Sequence, residues 1–448
     1  MIIRSGDSDK LIEIIEVGSV SDINMRSDYV TGFSLLMIAC KNGFVDCARV
    51  MLKYNADINY STYNGSVLKS ACLSGQVNML QFIIDQGITL NDSVLSWLFD
   101  CSEITANTEI ATILVGYIQD VNWGGGHDTF LCEVSKAENV DVVRHLLDRG
   151  ASFCCRFHDP LVIASCRGHL EVVKLFLGWN ASSGTHVTQA NVDDSLIYAS
   201  GDGHVEIVRC LVEYGVSTDA LNSALFSAVE YHHLRVASLL IDSGADYNVL
   251  IPPSECSAWI FACRQASPFM VRMLLDHGAD PNAVDANGNS PIKVALFRLE
   301  VLNVLLERGA DPNQSFADGS AALLELAQHK PAQREGAQSL TVLLEHGADA
   351  NIAHTTTGET ALMVASLDLN VRLVEALLEH GADVTQVNRE GESVLGMLGR
   401  TRQYDEVREL CSHYIDRNQR EAMHILKLSG RAYTRSLCTY SIILCVCM

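Results

Sequence analysis

The sequence predicts an all-α solenoid of about twelve stacked helix-turn-helix modules with short β-hairpin loops between them. The segment His-Gly-Ala-Asp-Pro-Asn at residues 277–282 returns in similar form at 308–313, 346–351 and 380–385. Each copy follows an apolar run whose three- and four-residue spacing places one apolar stripe on a short helix. The position of its glycine recurs along the chain at intervals of 29 to 38 residues. A period near 33 residues indicates stacked repeats, each buried only against its neighbours.

Within each module, the sequence marks the start of the first helix and the end of the second. Ser34, Asp159, Ser290 and Thr360 stand where a side-chain oxygen can cap a first helix. A glycine then ends the second helix, because glycine tolerates the left-handed backbone found at helix C-termini. The Asp-x-Asn that follows suits a turn. The glycine position is occupied in order by Asn55, Gly87, Gln119, Gly150, Asn180, Gly215, Gly244, Gly278, Gly309, Gly347 and Gly381.

These features resemble the ankyrin-repeat family over residues 7–415, most strongly from 270 to 385. The family pattern has a hairpin glycine, a Thr-Pro-Leu-His start to the first helix, an Ala-Ala pair and a Gly-His turn. The corresponding starts here are Thr360-Ala361-Leu362-Met363, Ser290-Pro291-Ile292-Lys293, Asp159-Pro160-Leu161-Val162 and Ser34-Leu35-Leu36-Met37. Because the His that ties neighbouring turns is missing from each of them, we expect a looser array. The Gly-His turn is kept at Gly168-His169 and Gly203-His204.

The repeat divides the chain into three parts. Residues 1–26 are expected to form an N-terminal capping half-repeat, and residues 27–415 the ankyrin array. The least regular module, 92–122, lacks the glycine and the Ala pair. Residues 416–448 are expected to form a C-terminal capping helix and an apolar, Cys-containing tail. Exposed loops are predicted at 182–193 and 330–338.

Composition narrows the class of partner. The 448 residues carry a net charge of −22, which disfavours nucleic acid and anionic membrane surfaces. The apolar tail is shorter than the roughly 20 residues that a membrane-spanning helix needs, so no membrane insertion is expected.

The 15 cysteines are scattered, and many occupy small-residue helix positions, as buried thiols do. Without a secretory signal, a reducing cytoplasmic setting follows, with the nucleus as the alternative.

No motif predicts a catalytic residue, a metal or a cofactor. Residues 123–127 contain three consecutive glycines, but they lie where a hairpin belongs and lack the Lys-Ser/Thr of a phosphate loop. Cys154, Cys155 and His158 could supply three metal ligands, whereas a structural zinc site needs four. His277, His346 and His380 share one position near a helix C-terminus, where a hydrogen-bonding or cationic side chain is favourable.

The candidate site is therefore a surface. In the resembled family, first helices line a concave groove beside the hairpins. The repeat places these residues on the outward side of the first helices: Ile38, Ile163, Cys166, Arg167, Tyr198, Asp202, Tyr231, Phe261, Arg264, Gln265, Phe297 and Arg298. Aromatic and Arg side chains anchor protein interfaces out of proportion to their frequency. The alternative is that Phe261 and Phe297 pack under the neighbouring module. The hairpin tips add Tyr63, Asn64, Arg156, Phe157 and Phe316.

The predicted function is that of a non-catalytic scaffold or adaptor, monomeric on its own, that binds a protein partner of unknown identity. The alternative is the substrate receptor of a ubiquitin ligase, in which a C-terminal box recruits the ligase core. Residues 435–443 partly resemble the Ser-Leu-x-x-Leu-Cys opening of such a box, out of its spacing. Asn59 and Asn122 also resemble acceptors of a cytosolic asparaginyl hydroxylase, or else they simply complete their turns.

Overall fold

The computed structural model describes residues 7–16, 23–24, 32–62, 65–123, 129–153, 159–179, 187–252, 255–265, 267–328, 334–399 and 402–428. The chain forms two compact units, Met1–Ser227 and Ala228–Met448. Both are built from short helices joined by tight turns, with two-stranded antiparallel hairpins at two module junctions of the described chain. A helical repeat solenoid, as the sequence predicts, is confirmed.

The first unit contains helix pairs in succession. Its elements are α1 (Ser8–Glu16), α2 (Leu35–Lys41), α3 (Val45–Lys53), β1 (Ser61–Thr62), β2 (Gly65–Ser66), α4 (Val67–Leu73), α5 (Val77–Asp85), α6 (Asp92–Phe99), α7 (Ser102–Thr105), α8 (Thr108–Gly116), α9 (Phe130–Ser135), α10 (Val140–Asp148), α11 (Pro160–Arg167), α12 (Leu170–Gly178), α13 (Gln189–Gly201), α14 (Val205–Tyr214) and α15 (Thr218–Glu230), the last of which contains the division between the units. Helix α1 packs against α3, a second helix.

The second unit repeats the same pairs. Its elements are α16 (Leu234–Asp242), β3 (Leu250–Ile251), β4 (Cys256–Ser257), α17 (Ala258–Arg264), α18 (Pro268–Asp276), α19 (Pro291–Ala295), α20 (Leu299–Glu307), α21 (Ala322–Gln328), α22 (Arg334–Glu345), α23 (Ala361–Leu367), α24 (Val371–Glu379), α25 (Val394–Leu398), a 3₁₀ turn (Arg402–Tyr404) and α26 (Asp405–Leu428). Helix α26 runs through residue 416, so the last helix starts inside the segment assigned to the array.

Helices of the same kind stack on each other. First helices pack on first helices, as α11 on α13 and α17 on α19, and second helices pack on second helices, as α18 on α20. The buried side chains lie between successive layers, with Trp259, Phe99, Phe130 and Phe176 among the largest. Each module therefore buries its apolar face against its neighbours, as a solenoid requires.

The predicted helix starts are confirmed. The hydroxyls of Ser34, Ser290 and Thr360 each accept a hydrogen bond from the backbone N–H three residues later. Asp159 Oδ1 accepts from Leu161 N at 2.8 Å. The helix ends follow the prediction as well, because Gly278 has a φ of 90° and Asn55 holds the same position at 64°.

The irregular module at 92–122 keeps its place in the stack. Asn91 caps α6, which packs on α9, and α8 packs on α10. The one-turn helix α7 separates the two helices of this module. Asn139 Nδ2 donates to Thr105 O at 2.9 Å, so the next module is bonded to the end of α7.

Both predicted insertion loops are shorter than expected. Helix α13 begins at Gln189, because the side chains of Thr188 and Asn191 form a capping box. Helix α22 begins at Arg334, inside the second predicted loop. Residues 180–186 and 329–333 lie outside the described part of the chain.

A ladder of asparagine side chains ties successive turns together. Asn282 Nδ2 donates to Gly309 O at 3.1 Å, and its Oδ1 accepts from Asp311 N at 2.7 Å. Asn313 makes the same two bonds to Gly347 O (3.2 Å) and Asp349 N (2.7 Å). We call these bonds the asparagine ladder, and Asn351 continues it to Gly381 and Asp383.

Three further contacts tie neighbouring modules together where the His of the first-helix starts is missing. Lys293 stands in the position of that His, and its Nζ lies 2.6 Å from Asp318 Oδ2 in the next module. His169 Nε2 lies 3.1 Å from Lys136 O, and His204 Nε2 lies 2.9 Å from Cys166 O. The looseness expected from the missing His is therefore offset at these junctions by other side chains.

Candidate protein-binding surface

The predicted surface residues fall into two groups, one in each unit. In the first unit, Arg167 is exposed at the end of α11, and Ile163 is half-buried on the same helix. Tyr198, on the neighbouring helix α13, is 55% exposed, and Asp202 follows that helix in an exposed position. Since α11 packs on α13, these four side chains belong to adjacent modules on the first-helix side of the unit.

A thiol links the two modules of the first group. Burial raises the pKa of Cys166 to about 11, with the neighbouring Asp202 carboxylate and its hydrogen bond to the thiol adding to the effect. A thiol in that state stays protonated at neutral pH and is a poor nucleophile. Cys166 therefore offers no catalytic thiolate at neutral pH.

The second group lies in the second unit. Tyr231, which follows α15, is 60% exposed, and Arg264, Gln265 and Arg298 are also exposed. These residues stand at the turns that join first to second helices in three successive modules. They form an exposed polar and aromatic rim.

The two phenylalanines of this group are only half-buried. Both Phe261 and Phe297 have contacts within the fold, and Phe297 Cε1 lies 3.6 Å from the point where a Cβ would stand on Gly336. Gly336 belongs to α22, the second helix of the next module. For Phe297 this contact favours the packing alternative, because the ring lies at van der Waals distance from the second helix of the next module.

Of the five residues predicted at hairpin tips, Phe316 is the one that the structure describes. Phe316 is buried at 6% exposure, so its prediction as an exposed tip is wrong. The reason is Lys293, whose ammonium group lies 4.8 Å from the centroid of the Phe316 ring and bonds Asp318 beside it. Tyr63, Asn64, Arg156 and Phe157 lie outside the described residues.

Two exposed residues beside the second group were missed by the sequence reasoning. Phe269, the second residue of α18, is 73% exposed, and Arg235 is exposed at the same position of α16. A signal was present, since this position is acidic in most other second helices. The residues predicted from the sequence lie only on first helices and hairpins, whereas Phe269 and Arg235 lie at the start of second helices.

The histidines before the glycines have a structural role, as predicted. Nδ1 of His277, His346 and His380 lies 2.8, 2.9 and 2.8 Å from a carbonyl oxygen four residues earlier. Each imidazole thus bonds the last turn of its own helix. Asn59 and Asn122 accept bonds from Thr89 N and Ser152 N of the following module, as turn-completing residues do.

The described residues contain neither a metal-binding cluster nor a membrane-spanning helix. Among the described residues, no group of three or more His, Cys, Asp and Glu side chains is arranged to hold a metal ion. Cys154, Cys155, His158 and the glycines at 124–126 fall outside the described ranges. Within those ranges, no helix combines the length and the apolar character that crossing a bilayer demands.

Comparison with known proteins identifies the repeat. The family model for ankyrin repeats (3 copies) matches residues 1–93, 161–251, 252–315 and 329–425. An ankyrin repeat protein of fowlpox virus is 34% identical over 172 residues, 38% of this chain and 35% of the relative. Human ankyrin repeat and SOCS box protein 6 is 32% identical over 194 residues, 41% of this chain and 38% of the relative. The chain thus spans a little over a third of these two relatives.

Solved structures with the same repeat are also similar to the chain. The ankyrin repeat domain of Bcl-3 aligns with a TM-score of 0.43 and 28% identity, over 47% of this chain and 96% of that domain. An ankyrin repeat domain from Acinetobacter baumannii AYE aligns with a TM-score of 0.39 and 26% identity, over 42% and 98%. On the match of the family model to most of its length, the chain belongs to the ankyrin-repeat family, whose repeats serve in protein-protein interaction.

Proposed function

We propose that this protein is a non-catalytic scaffold or adaptor that binds a partner protein through the first-helix side of its ankyrin array. The observation that supports this most is the exposure of Tyr198 and Tyr231, at 55% and 60%. An exposed tyrosine on a rigid helical scaffold offers a large contact area at a low cost in side-chain entropy. The exposed Arg167, Arg264 and Arg298 supply the second residue type that dominates interface energetics.

The proposal is tested by capturing partners from cell extract and quantifying them by mass spectrometry. The variant Tyr198→Ser/Tyr231→Ser should fold normally, because both rings are exposed, and should lose a stoichiometric partner that the wild type retains. The matched control is Tyr117→Ser/Tyr214→Ser, which removes two exposed tyrosines at the ends of second helices α8 and α14. Equal capture by all three proteins would reject the first-helix side as the binding site.

The second candidate is the substrate receptor of a ubiquitin ligase. It is favoured by the similarity to a relative that, by its name, carries a SOCS box beside its ankyrin repeats. The residues proposed for recruitment, 435–443, lie outside the described part of the chain. A truncation after Leu428 keeps the whole of α26 and removes them. Loss of ligase components on this truncation, with other partners retained, would favour the receptor over the plain adaptor.

A further inference from the structure

One edge of the second unit carries exposed arginine and aromatic side chains side by side. It consists of Tyr231, Arg235, Arg264, Phe269 and Arg298, which we call the basic-aromatic edge. These residues lie at the turns that join α15 to α16, α17 to α18, and α19 to α20. Because α16 packs on α18 and α18 packs on α20, the three turns lie side by side.

The edge departs from a charge preference that most second helices follow, with Asn78 of α5 and Arg372 of α24 as further exceptions. The second residue of a second helix carries an acid at these positions: Asp46, Glu109, Asp141, Glu171, Glu206 and Glu300. An acid is favourable there, because the N-terminus of a helix carries a partial positive charge. In α16 and α18 the same position holds Arg235 and Phe269. Here two successive second helices depart from the preference together, and both residues are exposed, which favours a shared role outside the fold.

The arginines of the edge are not used within the unit. In the described ranges of the chain, Arg235, Arg264 and Arg298 form no ion pair, although Glu230 and Glu300 stand on the same edge. Two other arginines of this unit are paired, since Arg272 lies 3.5 Å from Glu307 and Arg308 lies 2.7 Å from Asp276. In a protein with a net charge of −22, three neighbouring unpaired arginines form a local positive patch.

The aromatic members of the edge are exposed to an unusual degree. Phe269 is 73% exposed and Tyr231 is 60% exposed. Phe269 directly follows Pro268, the first residue of α18, so its backbone is held by the helix. Exposed rings between arginines combine the residue types that supply most binding energy in protein interfaces.

We propose that the basic-aromatic edge binds an extended, acidic peptide segment of the partner protein, with an apolar side chain seated against Phe269 and Tyr231. This rests on the proposed function and names the chemistry of the partner. Stacked helices lie about 8–10 Å apart, and an extended segment in the polyproline II conformation rises about 3.1 Å per residue with three residues per turn. Carboxylates three residues apart then lie on one side of the peptide, about 9 Å from each other, and can meet the arginines of successive modules.

Binding of an acidic peptide to the basic-aromatic edge is tested by phage display. A library of random dodecapeptides is selected on the immobilised full-length protein. The expected peptides carry Asp or Glu at three-residue spacing around an aromatic or aliphatic residue. Binding of such a synthetic peptide, followed by fluorescence anisotropy, should weaken roughly tenfold or more in Arg235→Glu/Arg264→Glu. It should weaken in Phe269→Ala too, which removes an exposed ring and leaves the core intact.

The matched control is Arg144→Glu/Arg372→Glu, which makes the same change in net charge at two exposed arginines outside the edge. Equal weakening by control and edge variants would overturn the inference, since a general charge effect would then explain the binding. Selected peptides that are neutral or basic would overturn it as well. If such peptides still lose binding in Tyr198→Ser/Tyr231→Ser, the proposed function stands without the acidic partner. If no peptide is selected, the inference fails, and the capture experiment alone decides the proposed function.

Discussion

Replacing Asn313 with Ala removes one rung of the asparagine ladder. The side chain makes two bonds to the next module, to Gly347 O at 3.2 Å and from Asp349 N at 2.7 Å. Both groups are near solvent, so water can replace the lost partner, and each bond is worth about 0.5–1 kcal/mol. We expect the variant to lose about 1–2 kcal/mol of stability at this junction.

Native-state hydrogen exchange measures this loss where it occurs. The amide of Asp349 should exchange roughly 5- to 30-fold faster in Asn313→Ala, because about 1.4 kcal/mol corresponds to a factor of ten. The amide of Asp311, which bonds Asn282, should be unchanged. Asn248→Ala is the matched control, since Asn248 holds the same repeat position and, within the described residues, its side chain makes no hydrogen bond. An equal, negligible effect of both substitutions would refute the stabilising role of the ladder.

Three further predictions concern single side chains. The Ser200 hydroxyl is buried and, within the described residues, has no hydrogen-bond partner. Ser200→Ala should therefore raise the free energy of unfolding, measured by urea denaturation, by about 1 kcal/mol, and a decrease would contradict this. Lys293→Met breaks the ion pair with Asp318 and should cost about 1–2 kcal/mol at pH 7, and this cost should shrink when Asp318 is protonated in strong acid. Burial raises the pKa of Asp159 from 3.8 to about 6, so the folded state holds this proton more tightly than the unfolded state. Relative to Asp159→Asn, the wild type should therefore lose about 1–2 kcal/mol as the pH rises from about 4 to 7, and a parallel pH dependence of the two proteins would contradict the assignment.

Local rules account for the parts of the fold that the sequence predicted correctly. The caps at Ser34, Ser290 and Thr360 and the left-handed position of Gly278 depend on the conformation of a few consecutive residues, which the residue types reveal directly. The fixed period then implies the stacking, because each module has only its neighbours to pack against.

Exposure was harder to predict because it depends on side chains from the next module. Phe316 was expected at an exposed tip, but Lys293 from the preceding module covers its ring. Phe297 was expected on the binding surface, yet it lies against Gly336. Phe269 was overlooked, although an aromatic residue at a usually acidic position was visible in the sequence. A comparison of equivalent positions across modules identifies such residues better than the hydrophobic pattern of one module.

Site-specific photocrosslinking tests the central claim most directly, namely that the first-helix side of the array contacts the partner, here at a position in the second unit. A photoreactive phenylalanine placed at Gln265 stands on the exposed turn between α17 and α18, and one placed at Glu375 stands on the exposed side of α24. We expect the partner to be joined covalently from position 265 and not from position 375. Crosslinking from position 375 alone would contradict the account.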